Sequence, residues 1–561
     1  MIIALKEARN KKAAETEMSE FGIGASPREG ESMSKRQCGA WRKVAILLAR
    51  LALATAAAGQ QRAALRYGAA ALAPIEGNQA QKSAGRITPE EAKKLFALVD
   101  ELIEFSSEET GLPVKSAVKR QLTNRTAVES YLEEKFKEDD GAKRLQRDEI
   151  VLKKFGMLDR DFELKPFLLA LLKEQIEAYY DAKTKTVNLL DWVDAEEQKP
   201  VMAHELTHAL QDQHSDLEKW DDQTPIDVSR DADGDRDHLA KDEMDTARDA
   251  VVEGQATAVM MDYILKPLGK SLVKDPEVIE AVREQMASNE DSPMMARAPL
   301  LLSESMLFPY RDGLSFEQDV WMDQGRRAAF AGALDRPPTS SWEIINPREY
   351  ERQHSPAIPR LPNIHPLVDA LYQPYDIGQI GQLDVHILTE LYGGENAARD
   401  LTPAWNGGIY WAGQLRAATP AEQASTKSLG LFYLSVWKNA DSAETFAKLY
   451  GRNLVRKYAH VHRDEAASDA TEQIYSTDEG PVLIAVRDQR VFVAESFSLS
   501  LARQLAARLF DAQGSGESRM AARSTDGSFA PYGSLTSGLI DFFGHCGVFK
   551  AAVDPAVRAA R

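Results

Sequence analysis

The string MAHELTHALQDQHSDL, Met202 to Leu217, carries His204, Glu205, His208 and His214. Its spacing constrains the fold more than any other feature of the chain. On an α-helix, positions i and i+4 differ by about 40° around the axis and one turn along it. His204 and His208 therefore project side by side, where two imidazole nitrogens can reach one Zn2+ at about 2.0–2.1 Å. Glu205 flanks the pair without having to ligate, and from there it can act as base toward water that the ion acidifies. Val201, Met202, Ala203, Leu206, Ala209 and Leu210 surround these groups, so the helix is expected to be buried. Pro200 marks its start.

Two residues compete for the third ligand position. His214 lies six residues after His208, the spacing of HExxHxxGxxH, but that motif needs a helix-breaking glycine where this chain has Gln211. If the helix continues, six residues carry His214 about 9 Å along the axis and about 240° around it, facing away. The other candidate is Glu253, in the second helical pattern TARDAVVEGQATAVMMDYIL. A carboxylate between Val251-Val252 and Ala256 needs a partner if buried, and a metal supplies one. If the helix face is exposed, it needs none. Asp249 and Thr257 lie one turn before and after Glu253 and are candidates to orient a ligating histidine.

At these residues the chain resembles the gluzincins, the metallopeptidases that pair HExxH with a downstream glutamate. More narrowly it looks like a group of exported bacterial proteins with an AHELTHALQDQ string, here Ala203 to Gln213, and a later VEG(x)AT segment, here Val252 to Thr257. FPYRDG, PPTSSWEIINP and the stretches around WNGG and VWKNADSAETFA are similar too, so the resemblance covers roughly residues 90–510. It implies a zinc-dependent peptidase with His204, His208 and Glu253 as ligands and Glu205 as base. Gluzincins often place an acidic residue four positions after the ligating glutamate, where this chain has Thr257. The implied fold class is α+β: a zincin-like metallopeptidase domain, with edge hairpin, HExxH helix and glutamate helix, followed by a smaller α+β domain.

The order of elements agrees with that class. Three amphipathic helical patterns precede IEAYYDAKTKTVNLL, which reads as a β-hairpin around Asp181–Lys185. Tyr179-Tyr180 or Thr186–Leu190 is then the strand along which an extended substrate adds, unless the hairpin merely packs on the core. From about 350 helices alternate with strand patterns such as LGLFYLSVW and the hairpin PVLIAVRDQRVFVAES, and Trp405–Gly408 reads as a tight turn. The expected organisation is an upstream extension over 1–32, a signal peptide over 33–58, a linker over 59–86, the metallopeptidase domain over 87–350, an α+β domain over 351–513 and a flexible tail over 514–561. The signal peptide rests on the basic MSKRQCGAWRK, the apolar VAILLARLALA and Ala56-Ala57-Ala58, so export is expected, with no stable membrane insertion once the signal is removed.

Composition narrows the partners. The 561 residues carry a net charge of −18, which disfavours nucleic acid and an anionic membrane surface; a peptide or protein substrate is what the gluzincin resemblance implies. Between Asp216 and Glu253 fourteen Asp/Glu face five Lys/Arg, a net −9, half of the total. Within that run Asp231, Asp233, Asp235 and Asp237 alternate like part of a calcium loop. An EF-hand would need Gly and Glu where Arg236 and Asp242 stand, so an acidic loop is expected rather than structural Ca2+. Cys38 and Cys546 exclude a disulfide framework and a cysteine metal site. Tyr310, Arg311 and His238 are candidate oxyanion donors. Two other readings remain: a non-catalytic exported zinc-binding protein on the same scaffold, and a cytosolic zinc hydrolase if the export signal is false.

Overall fold

The computed structural model describes residues 87–138, 140–221, 231–241, 243–288, 292–514, 521–522, 535–544 and 546–560. The upstream extension, signal peptide and linker expected over 1–86 lie outside the described residues. Thr88 opens the first helix, α1 (Pro89–Thr110), with a capping box: its hydroxyl accepts from the Glu91 amide, and Glu91 answers at the Thr88 amide. There follow β1 (Lys119–Thr123), α2 (Asp140–Phe155), α3 (Leu164–Gln175), and the hairpin β2 (Ile176–Asp181) and β3 (Thr186–Leu190). Asp181 builds the hairpin turn, its Oδ1 accepting from the amides of Lys183 and Thr184 at 3.0 and 3.3 Å.

The two helices anticipated from the histidine and glutamate motifs are α4 (Gln198–Ser215) and α5 (Met244–Leu265), followed by α6 (Leu300–Gln324). The strands β4 (Tyr372–Gln379), β5 (Trp405–Leu415) and β6 (Leu429–Trp437), helix α7 (Ala440–Lys457), the strands β7 (Val461–Arg463), β8 (Glu472–Thr477), β9 (Gly480–Arg487) and β10 (Arg490–Glu495), and helix α8 (Leu499–Ala512) complete the second half. The end of the chain adds α9 (Ser537–Gly544), β11 (Val548–Phe549) and α10 (Lys550–Ala560). Among the described residues no helix is long and apolar enough to cross a membrane.

Two main sheets organise this α+β fold. The smaller runs β1-β3-β2-β11, with β1 parallel to β3 and the other pairs antiparallel. The larger is antiparallel throughout, in the order β4-β5-β6-β10-β9-β8-β7. Its central strands β6 and β10 are buried at every residue because both faces are covered. Val491 and Val493 face Phe446 and Tyr450 of α7, while Phe492 and Ala494 face Leu501 and Leu505 of α8. The α7 face belongs to the same apolar cluster as α4, α5 and α6, and Ser83–Arg561 form one compact unit.

A buried polar knot ties the helices to that sheet. Lys154 of α2 reaches Glu479 at 2.9 Å and Ser496 at 2.7 Å, and Lys457 of α7 pairs with Glu495, which also accepts from Tyr450 and Tyr458.

Three expectations are corrected here. Residues 535–560, assigned to a flexible tail, form α9, β11 and α10, with Leu539, Ile540, Phe543 and Val548 buried; the apolar GLIDFF and GVF stretches find a cover that short runs do not announce. The described part of the acidic loop is a helix over Ala232–Lys241, because Asp231 Oδ1 caps it by accepting from the amides of Asp233 and Gly234 at 3.0 and 2.9 Å. Trp405–Gly408 is the bulged start of β5 rather than a tight turn.

The packing of α5 on α6 positions everything that follows. Gly254 and Gly313 let the two backbones touch: a Cβ on Gly254 would lie 2.4 Å from the Gly313 carbonyl carbon, and one on Gly313 would lie 2.1 Å from the Ala250 oxygen. No side chain fits there without parting the helices. Gly254→Ala is therefore expected to destabilise the chain by about 1–3 kcal/mol, measured by denaturant unfolding. Glu495→Gln, which leaves the buried Lys457 without its carboxylate, is expected to cost about 3–5 kcal/mol in the same assay. Changes under about 0.5 kcal/mol, the size of an ordinary surface substitution, would contradict either account.

Candidate metal centre

Three side chains converge where α4 meets α5. His204 Nε2 lies 3.0 Å from His208 Nε2 and 3.0 Å from Glu253 Oε2, and His208 Nε2 lies 3.6 Å from that same oxygen. A tetrahedral ion with bonds of about 2.0–2.1 Å holds its ligand atoms about 3.3 Å apart, so the triangle has the size such an ion needs. All three side chains are buried, and among the described residues this is the group of histidine, cysteine and carboxylate side chains that can hold a metal ion.

The electrostatics agree with the geometry. Burial pushes the His204 imidazole pKa down to about 4, toward the neutral form that ligates. Desolvation acts on His208 in the same sense, but the Glu253 carboxylate outweighs it and raises His208. Burial opposes the charge of Glu253, yet His208 and His204 hold it ionised, below the usual carboxylate range. A buried negative charge is thus matched by protonation of one imidazole, and a bound cation is the natural replacement for that proton.

Glu205 points into the same space from α4. It is fully buried, and among the described residues neither carboxylate oxygen has a hydrogen-bond partner of normal geometry. Desolvation raises its pKa to about 7, opposed by the charge of His208 and by the Val548 and Tyr180 amides, which are directed at it without closing hydrogen bonds. A carboxyl poised near neutrality beside a metal-capable trio is suited to proton transfer.

The partners expected for the histidines are not the ones present. His204 Nδ1 has no partner among the described residues, and neither does Thr257 Oγ1. Asp249 is buried on α5 against Gly544. His208 Nδ1 is met by Gln211 Oε1 at 2.9 Å. Gln211 sits three residues after His208 on the same face of α4, whereas Asp249 and Thr257 share the face of Glu253 on another helix. Gln211 is itself fixed, donating to Val252 O and to Gln255 Oε1 at 2.9 Å each, and Gln255 donates on to the carbonyls of Ala329 and Phe330. The local signal for Gln211 was its i+3 spacing from a ligand inside an apolar helix.

His214 faces away, as the unbroken helix requires, and pairs with Asp335 at 3.0 Å. Of the three oxyanion candidates, Tyr310 of α6 lies at the centre, its ring 6.1 Å from that of His204. Burial, then the charges of Glu253 and Glu205, push its hydroxyl pKa well above the tyrosine value, so it stays a proton donor. Arg311 is spent on Glu304 and Asp312. His238 belongs to the helix that packs on β4. Asp235, from the alternating aspartates, pairs with His365 at 3.0 Å.

The hairpin is locked to α4 by Asp212, which accepts from the Tyr180 hydroxyl at 2.7 Å and from Lys185 Nζ at 2.8 Å. The expectation of an edge strand is corrected for both candidates: β3 lies between β1 and β2, β2 lies between β3 and β11, and both pack on α4. Compared with protein-family models, with curated proteins and with solved structures, the chain matches none of them.

Gln211→Leu removes the acceptor from His208 Nδ1 while keeping the helix, and is expected to lower metal affinity about 10–100-fold, with Thr257→Val near wild type. Competition against a chromogenic chelator measures both; equal affinity in Gln211→Leu and wild type would contradict the assignment.

Proposed function

We propose that the chain is a zinc-dependent peptidase of gluzincin type, exported through its amino-terminal basic and apolar segment. The observation that carries this reading is the placement of a carboxylate, Glu205, without a hydrogen-bond partner among the described residues, and a buried hydroxyl, Tyr310, around a His-His-Glu triangle of zinc size. A structural metal site has no use for such a base.

Held by His204, His208 and Glu253, the ion would supply Lewis acidity toward a peptide carbonyl and lower the pKa of water. Glu205 takes the proton from the attacking water at its carboxylate and passes it to the leaving amine. The Tyr310 hydroxyl donates to the carbonyl oxygen as negative charge builds there. Gln211 keeps the proton of His208 on Nδ1, which leaves Nε2 its lone pair. The backbone of β2 orients an extended substrate by adding it to the sheet. Burial excludes competing solvent and strengthens each of these interactions.

A second reading, a zinc-binding protein without catalysis, draws on the complete burial of His204 and Glu205. The two part at Glu205→Gln. The peptidase reading expects full zinc by metal analysis with hydrolysis of a peptide library reduced about 100- to 10,000-fold. Hydrolysis equal to wild type in that variant would contradict the role of Glu205.

A further inference from the structure

The groove beside the metal centre already holds a strand. β11 pairs antiparallel with β2, Val548 opposite Ala178 and Phe549 opposite Ile176, and so takes the outer edge of β2 that an incoming peptide would use. The Tyr310 hydroxyl donates to the Gly547 carbonyl at 3.4 Å, so the group suited to a substrate carbonyl is engaged by one from this chain. Phe549 packs edge-on to Tyr310 at 5.9 Å, and the Val548 amide is directed at Glu205.

Gly547 makes this seating achievable. Its φ of +101° is closed to most side chains, and a Cβ there would lie 2.3 Å from the Ala178 oxygen. The backbone therefore lies closer to β2 than any other residue would allow. With the segment in place, His204 and Glu205 are wholly buried and His208 and Glu253 nearly so. A cavity of about 540 Å³ opens further along, lined by Tyr180, Lys185 and Asp212 among others. The ladder of β11 with β2 is two residues long. Withdrawal of that strand breaks few backbone bonds and leaves β3 paired with β2, while Leu539, Ile540 and Phe543 keep α9 in the core.

We infer that β11, with Gly547 before it, occupies the substrate groove as an internal blocking strand, and that an extended peptide binds antiparallel to β2 only when that strand withdraws. The identity of the groove rests on the peptidase reading; the contact does not.

The test uses the full chain with Cys38→Ser, which leaves Cys546 as its one cysteine. Cys546, next to Gly547, is wholly buried, so its alkylation by iodoacetamide reports withdrawal of the segment, and transfer of zinc from the loaded protein to pyridylazoresorcinol reports exposure of the centre. Neither readout needs peptide hydrolysis. With the segment seated, Cys546 is expected to react about a hundredfold more slowly than glutathione, a measurement that needs no change in the segment itself. Gly547→Val is expected to speed alkylation and zinc transfer together, each about tenfold, and peptide hydrolysis with them. Alkylation of the unaltered segment at the glutathione rate would overturn the inference, as would unchanged alkylation in Gly547→Val, or fast alkylation with zinc leaving no faster. Parallel acceleration of alkylation and zinc transfer without any hydrolysis supports the blocking strand and overturns the peptidase reading instead.

Discussion

A buried carboxylate with two imidazoles against it is the interaction on which the rest of this structure depends. An ionised glutamate inside an apolar helix costs several kcal/mol unless it is met by opposite charge and hydrogen bonds. Glu253 is met by His204 and His208 at 3.0 and 3.6 Å. That meeting requires α4 and α5 to lie side by side, and Gln211 and Gln255 stitch the pair across its middle. It also requires α6 to press against α5 at Gly254 and Gly313 so that Tyr310 reaches the same space. The VEG triplet is thus two demands in consecutive residues: a charge for the centre and an absent side chain for the crossing.

Burial has a second consequence. The low-polarity surroundings that lift Glu205 toward neutrality also shut the centre off, and β11 completes the enclosure. On the proposed reading, reactivity and closure arise from one cause. The water exclusion that makes Glu205 a competent base at neutral pH is supplied in part by a strand that must yield to the substrate, which then takes over the same exclusion. Tyr310 is engaged by a carbonyl in either state, so no buried hydroxyl is left without a partner when one strand replaces the other.

Much of this was legible from local pattern. The i, i+4 spacing of His204 and His208 fixes their common face whatever the tertiary context, and the unbroken run through Gln211 removes His214 by geometry alone. Glu253 was legible because a charge inside an apolar stripe demands a partner. The hairpin was legible from its turn, but that both its strands lie inside the sheet depends on β1 joining β3 and β11 joining β2, two non-local pairings. Gln211 reads in sequence as an ordinary polar helix residue, and only the approach of α5 makes it an internal bridge. Tyr310 and Arg311 differ by one position, and the rotation of α6 that sends one inward and the other to Glu304 is set by a glycine contact invisible to periodicity. The closing segment was masked by the Gly/Ser-rich stretch before it: a short apolar run after such a stretch carries no periodicity, and its cover, on α2, β2, α5 and α6, lies far earlier in the chain.

The central claim is that two imidazoles of α4 and one carboxylate of α5 hold a single zinc ion. X-ray absorption at the zinc edge of the loaded full chain measures that shell directly. The account predicts two imidazole nitrogens with oxygen completing the shell, and the loss of an oxygen scatterer in Glu253→Ala with both imidazoles retained. A shell of three imidazoles, or one unchanged by Glu253→Ala, would contradict it.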